Sequence, residues 1–208
     1  MRIYILCCLL AYLIGAFPTS FLVSRLFFHV DLKTQGSGNL GATNVFRVLG
    51  PWPAAFVLAV DIFKGFAPVF WIPALVDTHG GIIFQIALGL SAVAGHIFSP
   101  FIGFRGGKGV ATGAGIVLAI CPFALALSAA VWLVVMAFSR IVSVASLSAA
   151  LALPLFVLIT IDPGSDGFGV ILAFSISITI LVFLTHRSNI SRLLRGEEKK
   201  LARKGRIL

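Results

Sequence analysis

The chain has 208 residues, 59% of them hydrophobic and 11% charged, with a formal net charge of +9. Soluble domains carry about 25% charged residues, so this composition excludes a soluble globular protein and describes an integral membrane protein. The charge is uneven: eight of the sixteen Lys and Arg follow His186, and a basic tail beside a last apolar helix reads as cytoplasmic and drawn to anionic lipid, not to nucleic acid.

A spanning helix needs about 20 mostly apolar residues. The first such stretch covers about 3–28, with a kink expected at Gly15 and Pro18. Its apolar run is too long for a signal peptide and lacks a small-x-small cleavage site, so it reads as a retained span. After the polar stretch HVDLKTQGSGNLGATNVFR come helices at about 53–75 and 81–98. The apolar run at about 110–139 is long for one helix, and Pro122 divides it into 110–121 and 122–139. Helices at about 141–161 and 168–186 follow, joined by the turn DPGSDG. The reading is a single domain, 1–208, forming an all-α bundle of about seven transmembrane helices. A five-span alternative with a re-entrant hairpin at 110–139 keeps the same sidedness.

Basic residues set that sidedness. With the C-terminus cytoplasmic, the loops holding Arg25, Lys33, Arg47, Arg105, Lys108 and Arg140 all face the cytoplasm. The loops DTHGG and DPGSDG face outward with no Lys or Arg, the N-terminus is outside, and Arg2 alone departs from the pattern. Cys7, Cys8 and Cys121 sit in apolar runs without metal-ligand spacing, and no disulfide framework is expected.

Polar residues gather in three places, all on the cytoplasmic side. In GSGNLGATNVFR, Ser37, Asn39, Thr43 and Asn44 are interleaved with glycines that allow the backbone to approach a ligand, and Arg47 adds a planar fork suited to phosphate. In GHIFSPFIGFRGGKGVATG, Gly106, Gly107 and Gly109 surround Lys108 just before a helix start, which is the physical recipe for an anion site. It is not a nucleotide P-loop, because Ile102 replaces the first Gly and Gly109 follows the Lys. In HRSNISRLLRGEE, His186 and Asn189 lie three apart on one helical face, while Arg187 and Arg192 suit interfacial anchoring. The plain alternatives are a solvated loop, a flexible positive-inside turn and a helix-capping His.

Asp61 and Lys64 sit at i and i+3 within the helix 53–75, about 12–17 Å along it from Pro53. An intramembrane charge is a functional hypothesis by default, and a structural ion pair is the other reading. Ser143 and Ser146 follow Arg140 and could line the same cytoplasmic cavity, although small residues also serve helix packing. The seven acidic residues are scattered, so neither Mg²⁺ nor Zn²⁺ is expected to be held, and no other cofactor is indicated. Neither an H-x-x-x-x-D arrangement nor a G-x-S-x-G elbow occurs. The remaining reading is anion binding without a metal. Arg47 and Lys108 are assigned to phosphate, Ser37, Asn39, Asn44, Ser146 and Asn189 to orienting the ligand, His186 to orienting or protonating, and Lys64 to a supporting place near the substrate.

At GSGNLGATNVFR, GHIFSPFIGFRGGKGVATG, HRSNISRLLRGEE and DIFKG the chain resembles the bacterial acyl-phosphate-dependent glycerol-3-phosphate acyltransferase family, PlsY. The motifs are specific and in order, and together they cover about a quarter of the chain. The resemblance implies transfer of a fatty acyl group from acyl phosphate to the 1-hydroxyl of sn-glycerol 3-phosphate, giving lysophosphatidic acid and phosphate, as the first acylation of phospholipid synthesis. It implies that Ser37 and Arg47 are critical, that the glycines around Lys108 form the glycerol-3-phosphate site, that His186 and Asn189 serve activity, and that Glu197 is more structural. The expected setting is the bacterial cytoplasmic (inner) membrane, with the active site on the cytoplasmic side and a monomer as the working unit. Two rivals stand beside this reading. A transporter of a phosphorylated solute would also use helix-end anion sites, but it needs polar groups on both faces. A non-catalytic lipid-binding subunit leaves the first two clusters unexplained.

Overall fold

The computed structural model describes residues 2–76 and 81–201. Ten α-helices cover most of the described residues, among which there is no strand. In chain order they are α1 (Arg2–Ala16), α2 (Thr19–Leu22), α3 (Ala42–Leu49), α4 (Pro51–Leu75), α5 (Gly81–Ile97), α6 (Val110–Ile120), α7 (Pro122–Ser139), α8 (Val142–Thr160), α9 (Phe168–Thr185) and α10 (Arg187–Leu194). Six segments among the described residues are long and apolar enough to cross a membrane: Arg2–Phe27, Pro51–Leu75, Gly81–Ile102, Pro122–Ser139, Val142–Thr160 and Phe168–Thr185. Phe123, Phe138 and Ile159 point outward from the bundle, as side chains facing hydrocarbon do.

The seventh expected span is shorter than a full crossing. The α6 helix has 11 residues, about 16 Å at 1.5 Å per residue, against a hydrocarbon thickness of about 30 Å. It ends at Cys121, where Pro122 starts α7, so the proline divides the run where the sequence places the break. Close packing compensates for its shortness. Gly65 of α4 lies against the Thr112 carbonyl, and Gly115 of α6 lies against the Ile62 carbonyl, with no room for a Cβ at either. The same small-residue device joins α1 to α5 through Gly15 and Gly95.

The first span is interrupted rather than kinked. Helix α1 stops at Ala16, and the chain resumes as α2 after Pro18, then widens into a π-helical turn at Val23–Phe27. Proline lacks an N–H and clashes with the preceding turn, which frees carbonyls for other donors. Ser99 Oγ donates to the Ala16 carbonyl at 2.6 Å, and Lys64 Nζ donates to the Phe17 carbonyl at 3.1 Å. The break thereby becomes an anchor for α4 and for the segment after α5.

One end of the bundle collects the polar segments. Lys33 Nζ donates to the Ile102 carbonyl at 3.2 Å, and the Leu201 amide donates to the Arg140 carbonyl at 2.6 Å. Lys108 Nζ donates to Asn189 Oδ1 across the same end. At the opposite end Gly167 lies beside Ile82, and the turn there carries Asp162 and Asp166. Residues 77–80, most of the DTHGG turn, lie outside the described residues, as do Arg203, Lys204 and Arg206 of the tail.

Candidate active site

The first motif folds into a loop pinned to the amphipathic helix α3, which hydropathy alone did not announce. Asn44, buried on α3, holds the loop with three hydrogen bonds. Its Nδ2 donates to the carbonyls of Leu32 (3.2 Å) and Gln35 (3.0 Å), and its Oδ1 accepts from the Ser37 amide (2.8 Å). Gly36 adopts φ +64° directly over the Asn44 side chain. These three bonds orient the loop backbone. Ser37 is left exposed at the loop surface, and half-buried Asn39 packs its amide beside Gly41.

Arg47 lies half-buried one turn further along α3. Its Nη2 donates to the Lys199 carbonyl at 3.1 Å, whereas its buried Nε has no hydrogen-bond partner among the described residues. Burial is the largest influence lowering its pKa, with Glu198 opposing and Arg192 adding to it.

The second motif turns back on the end of α5. The Gly106 amide donates to the Ile97 carbonyl (2.9 Å) and the Gly107 amide to the His96 carbonyl (3.2 Å). Gly109 starts α6 at φ +79°, a left-handed conformation natural to glycine. Between them Lys108 projects toward α10 and meets Asn189. Burial lowers the Lys108 ammonium to about 8; Glu198 pulls the other way, and the Arg192 and Arg47 cations add to the lowering.

The third motif supplies the partners. His186 sits buried between α9 and α10, with Nδ1 donating to the Val182 carbonyl at 2.8 Å, so Nε2 carries the lone pair. Burial and then the Lys108 charge push His186 down to about 4, against the Val182 carbonyl and Glu198. It is a neutral imidazole at physiological pH. Asn189 is buried, and its Nδ2 donates to Glu198 Oε1 at 2.6 Å.

Glu198 is the residue sequence reasoning missed. Its nearly buried carboxylate also accepts from Ser143 Oγ (2.9 Å) and Arg192 Nε (2.6 Å). Burial alone would raise its pKa, but the bonds from Asn189, Arg192 and Ser143 outweigh that and hold it below the usual carboxylate value. Glu197, which the resemblance marks as structural, is exposed and accepts from Arg195 Nε at 2.8 Å. The available signal was Gly196, whose φ of +72° turns the chain back toward α8 and Asn189. Arg192, expected as an interfacial anchor, is paired into this network.

Two expected site residues stand apart. Ser146 is buried and accepts a hydrogen bond from Trp132 Nε1 at 3.2 Å, while Ser143 is the serine that joins the network. Lys64 pairs with Asp61 at 2.8 Å within the membrane, beneath the glycine-rich turn and away from Asn189. Among the described residues, no three His, Cys, Asp or Glu side chains group as a metal site requires.

Residues 5–196 match the glycerol-3-phosphate acyltransferase family. The chain belongs to that family. The glycerol-3-phosphate acyltransferase of Staphylococcus aureus strain JH9 is 43% identical over 199 residues, covering 93% of this chain and 95% of its own length. That of the bovine strain RF122 / ET3-1 is 42% identical over 199 residues. Among solved structures, the chain is similar to PlsY (YgiH), an integral membrane glycerol 3-phosphate acyltransferase, in its glycerol 3-phosphate form, with 36% identity, a TM-score of 0.85 and 96% of each chain covered. The lysophosphatidic acid form of PlsY gives 36% identity and a TM-score of 0.82, covering 95% of this chain and 94% of its own. Membership in an acyltransferase family decides against the solute-transporter reading.

Proposed function

We propose that this glycerol-3-phosphate acyltransferase takes its acyl group from acyl phosphate, and that Arg47 and Lys108 hold the substrate phosphates at the cytoplasmic face of the bacterial inner membrane. The observation that carries this reading is that two half-buried cations from separate motifs both lie within electrostatic reach of Glu198 and Arg192. Lys108 is fixed by Asn189, and Arg47 retains a buried N–H without a partner among the described residues. Desolvated cations of this kind favour a bound dianion, and the Arg fork suits phosphate oxygens.

In the proposed reaction the 1-hydroxyl oxygen attacks the acyl carbonyl carbon. The new ester C–O bond forms, the C–O bond to phosphate breaks, and inorganic phosphate leaves with the electron pair. A phosphate oxygen of the donor takes the hydroxyl proton. That assignment agrees with a neutral His186 whose Nε2 can accept a hydrogen bond from a substrate hydroxyl and so orient it. The mixed anhydride has a good leaving group, so positioning and charge stabilisation by Arg47 and Lys108 lower much of the barrier. Ser37 and Asn39 offer further donors, while the Gly106 and Gly107 amides are spent on the Ile97 and His96 carbonyls and set the shape of the turn. The acyl tail lies between helices with its head at the polar end. A monomer is the proposed working unit. The basic residues at the polar end and the acidic turn at the other support a cytoplasmic site.

The donor is tested by supplying labelled glycerol 3-phosphate with palmitoyl phosphate, palmitoyl-CoA or palmitoyl-acyl carrier protein in turn. Lysophosphatidic acid formed from palmitoyl phosphate alone supports the reading. Turnover with a thioester donor and none with the phosphate overturns it.

A further inference from the structure

A second polar cluster lies under the glycine-rich turn, and acyl transfer as described makes no use of it. Asp61 and Lys64 on α4 and His96 on α5 are all buried. Lys64 Nζ is 2.8 Å from Asp61 Oδ1, and His96 Nδ1 approaches the same carboxylate oxygen at 4.0 Å. Lys64 also donates to the Phe17 carbonyl, just before Pro18 (3.1 Å). The pair is therefore neutral as a unit and anchored to the break in the first span.

The cluster borders a small cavity of about 10 Å³ whose wall includes Thr19, Asp61, Lys64, His96, Gly106 and Gly107. Thr19 is 4% exposed, and its Oγ1 has no hydrogen-bond partner among the described residues. A cavity of about this size holds one water when two to four polar groups face it, and a dry cavity here would leave the hydroxyl unsatisfied. Above the cavity, His96 Nε2 lies so close to Gly107 that a Cβ there would overlap it. The Gly107 amide also donates to the His96 carbonyl. The next residue is Lys108. The turn that presents the Lys108 ammonium thus rests on a histidine that lies beside an intramembrane ion pair.

We propose that Asp61, Lys64 and His96, with one water bridging them to Thr19, form a positioning unit that sets the Gly106–Gly107 turn and places the Lys108 ammonium. The unit touches no substrate, so Lys64 has a positioning rather than a binding role. The inference rests on the reading that Lys108 holds substrate phosphate.

Thr19→Val, His96→Gln, His96→Leu and Asp61→Asn test it in lipid nanodiscs, by steady-state kinetics and by hydrogen exchange of a peptide spanning residues 103–110. Thr19→Val is isosteric and carries the test should Asp61→Asn not fold. The expected result for Thr19→Val and His96→Leu is a rise of about tenfold or more in KM for glycerol 3-phosphate, with KM for palmitoyl phosphate within about twofold. The turn amides should exchange about tenfold faster, and His96→Gln should recover part of both effects. Unchanged exchange and KM in Thr19→Val and His96→Leu, or equal losses for both substrates, overturns the proposal. Exchange does not depend on turnover. An inactive wild type would defeat the acyl-transfer reading while the exchange data still judged the positioning unit.

Discussion

Asn189 joins Lys108 to Glu198: its carbonyl oxygen accepts from the Lys108 ammonium, and its amide donates to the Glu198 carboxylate at 2.6 Å. The amide is thereby fixed in one orientation, with its oxygen toward the cation. Because Glu198 also takes Ser143 and Arg192, one carboxylate registers α8, α10 and the glycine-rich turn against each other. The Glu198→Gln variant loses an acceptor for Arg192 and adds a donor facing donors. A loss of about tenfold or more in kcat/KM is expected, since breaking a hydrogen bond to a charged group costs about 1.5–3 kcal/mol. Glu197→Gln, on an exposed carboxylate, should stay within about twofold. Parallel kinetics of the two variants check the contrast.

Arg47 and Lys108 carry the phosphate assignment. Arg47→Ala and Lys108→Ala should each raise KM for glycerol 3-phosphate by about 10- to 150-fold, the equivalent of one charge-assisted hydrogen bond. Lys108→Arg should not restore activity, because the planar fork cannot occupy the space of an ammonium held by Asn189. Unchanged KM in either alanine variant removes that residue from the site.

The pH dependence follows from the same cation. Lys108, lowered to about 8, is charged below that pH and neutral above it. Only the charged form attracts phosphate, so kcat/KM for glycerol 3-phosphate should fall as pH rises through about 8. His186, pushed down to about 4, stays neutral across the working range, so the only inflection expected near the ordinary histidine value is the second ionisation of the substrate phosphate, at about 6. For stability the sign is opposite to that of a salt-bridged cation. A depressed ammonium binds fewer protons folded than unfolded above about 8, so its contribution to stability rises with pH from there toward 10.5. A kcat/KM profile between pH 5 and pH 10 measures the first two effects.

Asn44 should behave as a structural clamp. Asn44→Asp replaces a donor to the Leu32 and Gln35 carbonyls with an acceptor, leaving buried oxygens facing each other. A loss of about 2 kcal/mol or more is expected, with activity falling because the Ser37 loop is released. Thermal unfolding in detergent, read beside activity, separates this from a direct substrate contact.

Sidedness is testable without activity. Single cysteines at Arg105 and Ser165, in a background lacking Cys7, Cys8 and Cys121, should label from opposite faces of sealed inside-out and right-side-out vesicles. Arg105 should react from the cytoplasmic side.

Much of the helical plan was legible because spans announce themselves by length and apolarity. The ends of α4, α5, α7, α8 and α9 fall within about two residues of the sequence reading. Pro122 and Pro18 mark the short α6 and the break in the first span, whereas hydropathy does not register which carbonyls a neighbouring Lys64 or Ser99 will satisfy. At the site, Arg47, Lys108, His186 and Asn189 stood out as polar groups among glycines. Glu198 did not, because its burial depends on the Gly196 turn and on a serine 55 residues away. The sequence reading favours Ser146 over Ser143, and only the helix's rotation, which turns Ser146 to Trp132 and Ser143 to Glu198, separates them.

The most direct test of the central claim is phosphate release by the purified protein given palmitoyl phosphate and glycerol 3-phosphate with EDTA present. Release that requires both substrates and matches lysophosphatidic acid mole for mole is the predicted result. Folded protein that releases no phosphate, or that does so only when a divalent metal is restored, would contradict a metal-free acyl transfer driven by Arg47 and Lys108.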